Sequence, residues 1–444
     1  MMAGSVFDSP LYARLFPAGE AGKLFTDSAE VRAMLLVEGT LAKVQGEAGV
    51  IPEISAKAIH RASLEIPLDP GDLAGATGQN GVTVPGLVAA FRKAMEAPEH
   101  AQYVHWGATS QDIMDTGLML RMRAVLDHAE AQLAAILSAL ADLAEAHADT
   151  PMAARTYGQH ATPTSFGACA AQWGAPLLDL RTELPALRGQ SLWVSLSGAA
   201  GTASELGADP AALRTGLAAG LGLSDPGRSW HADRGPILRL ADWFARLTTA
   251  LAKVGSDMIF LVNSDTGEVH LGAAGGSSTM PQKQNPVQPS VLVALARQTT
   301  AMQSALHAAG VHGLQRDGAA WFTEWLTLPQ LTLSALSALE TAAQMLPGIT
   351  PDADRMATAL AASDGMIHAE ALSFALATEM PRPEAQAVTK TLCREARETG
   401  TPLADLVARD WPQLDTGHLF TPARQMGTAP DEARRFAKAV RAAL

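Results

Sequence analysis

The chain has 444 residues, enough for two or three domains with a large core. Its apolar content is high while aromatics make up only 5%, because alanine and leucine carry it, and that mix favours helix over sheet. A net charge of -12 argues against nucleic acid or an acidic membrane as partner, but leaves room for a local cationic site that binds a small anion.

The N-terminal stretch has neither a basic region nor an apolar run, and no uninterrupted apolar segment approaches membrane length, so a soluble cytoplasmic protein is expected. Residues 27–49 place Leu35, Leu36, Leu41 and Val44 at helical spacing, and Pro52 closes the segment. A Pro- and Gly-rich stretch over 66–86 leads into a short helix at 84–96. After Thr109-Ser110-Gln111-Asp112, apolar residues recur every three to four positions from Leu118 to Leu143, predicting a helix about 50 Å long that ends at Thr150-Pro151. Thr162-Pro163 reads as an N-cap and first-turn pair opening a helix that runs to about Pro185. Further long helices are predicted over 235–262, 286–308 and 319–346, and shorter ones, broken by Pro381, Pro383 and Pro402, follow Pro347.

Strand signals are almost absent, so the predicted fold is all-α. An N-terminal helical domain (1–112) and a small C-terminal one (348–444) flank a central long-helix bundle (113–347). The Ala-rich helix faces suggest that part of the bundle is buried against other subunits. Cys169 and Cys393 are far apart in sequence, match no metal spacing, and read as reduced thiols.

Residues 275–286 read Gly-Gly-Ser-Ser-Thr-Met-Pro-Gln-Lys-Gln-Asn-Pro. The small residues permit close backbone approach to a ligand. Lys283 and Asn285 can face one anion, and Asn285-Pro286 reads as N-cap plus first helical position, setting the positive end of a helix beside them. Ser277 or Ser278 is a possible proton carrier. The alternative is a flexible linker that precedes a helix. A second segment, Tyr103 to Asp112, sets Thr109 and Ser110 at the mouth of the long helix, where hydroxyls and free N–H groups can bind a carboxylate, although an ordinary cap has the same composition. A third runs from Arg155 to Thr164.

Together these segments resemble the G-S-S-x-M-P-x-K-x-N, H-x-G-x-T-S-x-D and R-T-H-x-Q-x-A-x-P-T signatures of the fumarase/aspartase superfamily, and the resemblance covers essentially the whole chain. It implies a homotetramer in which the three segments meet from different subunits. It also implies Ser277 as general base, Lys283 as the cation beside it, and His105 as a donor or orienting group in the site. By the same analogy Thr109, Ser110, Thr156, Gln159, Ser278, Met280, Asn285 and Arg316 contact a small polycarboxylate substrate. No metal or organic cofactor is implied, because neither a ligand cluster nor a dinucleotide fingerprint is present.

One position departs from the pattern: superfamily members that expel an amine have a histidine where this chain has Tyr157. His160, three residues on, is read as structural. An amine leaving group needs a proton, whereas a carboxylate, whose conjugate acid has a pKa of about 4, does not. The loss therefore points to the cycloisomerase branch, in which a substrate carboxylate adds intramolecularly to a double bond. The segments Phe7 to Tyr12, Gln315 to Trp321 with Glu324-Trp325, and Gly365 to Ala371 resemble that branch too, with Gln315 where it has a glutamate. The competing readings are a C–N lyase of the adenylosuccinate type and an inactive structural homologue. Intact Ser277, Lys283, Asn285 and Thr109-Ser110 argue against the latter.

Overall fold

The computed structural model describes residues 4–273, 275–276, 279–280 and 282–444. Among the described residues the chain is all-α apart from short strand pairs. Five long helices run over Ser110–Ala146, Phe166–Ser191, Gly235–Leu261, Val287–Ala309 and Gly318–Met345, and each supplies residues to both of two compact units. The first unit takes the chain up to Gln132, then Leu180–Thr249 and Ala294–Glu340. The second takes Leu133–Asp179, Ala250–Val293 and Thr341–Leu444.

In the first unit, helix Asp27–Glu47 packs on helix Glu53–Glu65. Their approach requires glycine. A Cβ at Gly39 would lie 1.8 Å from the Ser63 hydroxyl, and one at Gly46 would lie 2.3 Å from the Ala56 methyl. The core around them is aliphatic, with Met34, Leu35, Leu41, Ile59, Leu87 and Phe91 sealed from solvent. In the second unit, the short C-terminal helices bury Leu372, Leu376, Leu392, Leu403 and Val407 in a core of their own.

Helix Ser110–Ala146 is long and apolar enough to cross a membrane by composition alone, with a mean hydropathy of 1.2 over 18 residues. Its apolar stripe is instead spent inside the protein: Met119, Met122, Val125, Leu126, Ala129, Leu133, Ile136, Leu137 and Leu140 are completely buried. This is the pattern of a core helix.

Two expectations from the sequence are corrected. Thr162-Pro163 does not open a helix: Pro151–Thr156 and Gln159–Ser165 form an antiparallel hairpin, with Pro163 opposite Ala153 next to an irregularity in register. A two-stranded sheet has only edge strands, so the missing N–H of Pro163 is tolerated. The helix starts at Phe166, where the buried Ser165 hydroxyl accepts a bond from the Ala168 N–H at 3.1 Å, and it continues through Pro185 to Ser191. Nor does Asn285 cap the next helix, which begins at Val287. Asn285 exchanges both backbone bonds with Gly275, at 2.8 and 3.0 Å, and so closes the base of the 275–285 loop.

Candidate active site

The mouth of the 110–146 helix is organised by one carboxylate. Asp112, in the first turn, is fully buried and accepts five hydrogen bonds. Its Oδ1 receives the Ser195 hydroxyl at 3.0 Å, the Ser197 N–H at 2.9 Å and His231 Nε2 at 2.8 Å. Its Oδ2 receives the N–H groups of Gly198 and Thr109 at 2.9 and 3.1 Å. The Thr109 bond is half of a capping box, satisfying one of the donors that a helix start leaves free. Ser195, His231 and Asp112 resemble a nucleophilic triad in composition only. The serine proton points at the carboxylate, one imidazole nitrogen faces both partners, and all three are buried, so the cluster is structural.

Thr109 and Ser110 therefore stand on a rigid base, partly open to solvent. Arg316 reaches the same mouth: its Nε donates to the Gln111 side-chain oxygen at 2.8 Å, and one terminal nitrogen lies 3.5 Å from the Thr109 hydroxyl. The neighbouring Gln315 is exposed.

His105 lies on the turn into this helix with φ of 65°, and Gly107 follows with φ of 71°. A Cβ at Gly107 would sit 2.4 Å from the Glu205 carbonyl, so only glycine fits. His105 Nδ1 bonds Glu38 Oε1 at 2.7 Å, which leaves Nε2 as the ring nitrogen Glu38 does not engage. Glu38 is 1% exposed, and among the described residues its second oxygen has no hydrogen-bond partner. Burial pulls the His105 pKa down, but the charge and hydrogen bond of Glu38, with the charge of Asp112, outweigh burial and the opposing Arg92. The net shift is upward. A buried, half-satisfied carboxylate is expensive unless it has a task, and here it orients His105 and favours its charged form.

The remaining candidates belong to the second unit. Thr156 and Gln159 pair across the hairpin end and are exposed. Tyr157 and Gly158 form the two-residue turn, both with positive φ, and Tyr157 is fully exposed. That turn favours Asn-Gly, so tyrosine is strained there. His160 is exposed as well. Arg155, by contrast, is committed: it makes a bidentate pair with the buried Glu268 at 2.9 and 2.6 Å. In the glycine-rich loop Met280 and Lys283 are exposed, the Lys283 N–H closes a turn on the Met280 carbonyl at 3.0 Å, and the Asn285 amide lies 3.5 Å from the Gly276 carbonyl. Ser277 and Ser278 lie outside the described residues. Burial pushes the Cys169 thiol up to about 11, so it is no nucleophile.

Thus the first unit brings His105, Thr109, Ser110 and Arg316 to one helix mouth. The hairpin carries Thr156 and Gln159, and the 275–285 loop carries Met280, Lys283 and Asn285. Sequence reasoning missed Glu38, Gln111, Asp112 as an anchor, the 195–198 loop and His231. Glu38 alone left a trace, as a carboxylate on the apolar face of its helix, three residues from Leu35 and Leu41.

A model of a lyase family matches residues 17–300. A 3-carboxy-cis,cis-muconate cycloisomerase of Pseudomonas aeruginosa is 36% identical over 430 residues, covering 94% of both chains. A nitrosuccinate lyase of Streptomyces davaonensis is 35% identical over 445 residues, covering 96% of this chain and 94% of that one. Among solved structures, the 3-carboxy-cis,cis-muconate lactonizing enzyme from Pseudomonas putida superposes with a TM-score of 0.90 at 32% identity, covering 98% of this chain and 100% of that chain.

The His105–Glu38 pair predicts a pH response. With its pKa raised, the imidazolium persists above the ordinary histidine range of about 6.5 and is lost as pH climbs through the raised value. Replacing Glu38→Gln removes the main raising partner, so an imidazole NMR titration should place the His105 transition at lower pH. An unmoved transition contradicts the pairing.

Proposed function

The chain belongs to the lyase family of the fumarase/aspartase superfamily, and we propose on that premise that it lactonises 3-carboxy-cis,cis-muconate. In this reversible reaction a substrate carboxylate adds intramolecularly to a C=C bond, giving 4-carboxymuconolactone. The observation that carries the reading is a match in sequence and in fold, over nearly the whole chain, to enzymes of that activity.

As the ring closes, negative charge develops on the carbon beside a second carboxylate and spreads into it as an aci-carboxylate. Preorganised donors are the main means of stabilising such charge. In our reading Lys283, Asn285 and the N–H groups at the start of the 110–146 helix supply them. Ser277 delivers the proton to the carbanion and removes it in reverse, its alkoxide held by Lys283 and backbone N–H groups. His105, as an imidazolium, holds a substrate carboxylate. Thr109, Ser110, Thr156, Gln159, Ser278, Met280 and Arg316 complete the binding surface. The active form is a cytoplasmic homotetramer in which the helix mouth, the hairpin and the glycine-rich loop come from different subunits, with 113–347 as the shared bundle and 1–112 and 348–444 as flanking domains.

Tyr157 supports a weakly basic leaving group, because no histidine stands there to protonate an amine. Elimination from nitrosuccinate releases nitrite, also a weakly basic anion. The 35% identity to a nitrosuccinate lyase therefore favours that reaction as a second reading.

An absorbance assay separates the two. Lactonisation removes the conjugated diene of 3-carboxy-cis,cis-muconate, whereas nitrosuccinate cleavage creates the unsaturated product fumarate. We expect loss of the diene signal with the first substrate and no AMP from adenylosuccinate; turnover of nitrosuccinate alone would overturn the lactonising reading. Ser277→Ala should lower kcat by about a thousandfold with little change in folding, and Lys283→Met should damage both KM and kcat. Tyr157→Phe should lose less than about tenfold in kcat, the low edge of an acid–base contribution. Abolished lactonisation in that variant would refute the leaving-group argument.

A further inference from the structure

We propose that Gln111 is a positioning residue that aims the Arg316 guanidinium at a substrate carboxylate; this rests on the reading of Arg316 as a carboxylate-binding group. Gln111 is fully buried. Its amide nitrogen donates to Asp115 Oδ2 at 3.1 Å and to the His231 carbonyl at 2.9 Å, which uses both of its protons. The oxygen must then face the other way, and it accepts the Arg316 Nε proton at 2.8 Å. A flipped amide would set its oxygen against a carboxylate and a carbonyl, and its protons against a guanidinium, so a single orientation survives.

The mount behind Gln111 is equally fixed. Asp115 receives two nitrogens of Arg234 at 2.7 and 3.0 Å, and Arg234 also grips Glu324 through two bonds at 2.8 and 2.7 Å. All three are at most 3% exposed. Breaking such a set strands a buried charge, so it holds one geometry. His312, on the loop that carries Arg316, lies 3.5 Å from Glu324 with its side chain fully buried.

Arg316 itself is exposed, and among the described residues one of its terminal nitrogens, Nη2, makes two long contacts, at 3.5 Å to the Thr109 hydroxyl and 3.4 Å to the Ala199 carbonyl. With Nε committed to Gln111, the edge formed by the two terminal nitrogens is the one left for a bidentate carboxylate. An arginine free to swing would have to be immobilised on binding. One held at Nε is already partly ordered, so the effect should appear in binding.

The test is a cycle of Gln111→Leu, Arg316→Ala and the double variant. Gln111→Leu is expected to raise KM by about tenfold, the immobilisation of one long side chain, with kcat within about threefold. In the Arg316→Ala background the same change should add almost nothing, because Gln111 acts only through Arg316. Equal losses in both backgrounds would mark Gln111 as merely structural and overturn the proposal. Should Gln111→Leu fold poorly, Gln111→Met keeps the side-chain length and serves in its place. A crystal structure of the variant decides independently of any reaction: the guanidinium should leave its place beside Thr109, and an unmoved Arg316 overturns the proposal. Wild-type protein that leaves 3-carboxy-cis,cis-muconate unchanged would refute the reaction, not the positioning.

Discussion

The buried carboxylate of Asp112 is the constraint on which the first unit's share of the site depends. Five donors converge on it from the helix mouth, from the 195–198 loop and from His231. Hydrogen bonds to a charged group contribute roughly 1.5–3 kcal/mol each, and together they offset the several kcal/mol of taking the charge out of water. The side chain thus fastens segments more than eighty residues apart to the turn that presents Thr109 and Ser110. Thr116 reinforces the joint by exchanging bonds with the Ser195 backbone at 2.8 and 3.1 Å. The ion set of Asp115, Arg234 and Glu324 continues the same construction one turn further along the helix.

This rigidity suits the chemistry. A reaction that piles charge onto one carboxylate gains most from donors already in place, because nothing must reorganise as the charge appears. His105 fits that logic, since Glu38 both orients its ring and favours its charged form. Tyr157 fits it from the other side. At the tip of a hairpin turn with positive φ, it stands where superfamily members that expel an amine carry a histidine.

How far the sequence can be read follows from whether a feature is local. The long helices are legible because a three-to-four-residue apolar period over more than twenty residues admits no other structure. The hairpin is not legible: Thr162-Pro163 has the composition of a helix start, and only the pairing of Pro163 with Ala153 reveals a strand. Asn285 misleads for the same reason, since its partner Gly275 is a neighbour in space. His105, Thr109, Ser110 and Arg316 could be named from short motifs, and the structure gathers them at one helix mouth. Of what holds them only Glu38 left a trace, as a carboxylate on an apolar helix face; Ser195, His231 and Arg234 are ordinary residues in their own segments and become partners only through the fold.

The most direct measurement of this account is Asp112→Asn, which keeps size and shape and removes the charge. One side-chain atom becomes an NH2 facing donors that need an acceptor, whichever way the amide turns. The account predicts a lowered Tm, a loss of about 3 kcal/mol or more in stability, and loss of lactonisation even at temperatures where the variant stays folded. An Asn variant with wild-type Tm and wild-type kcat/KM would contradict it.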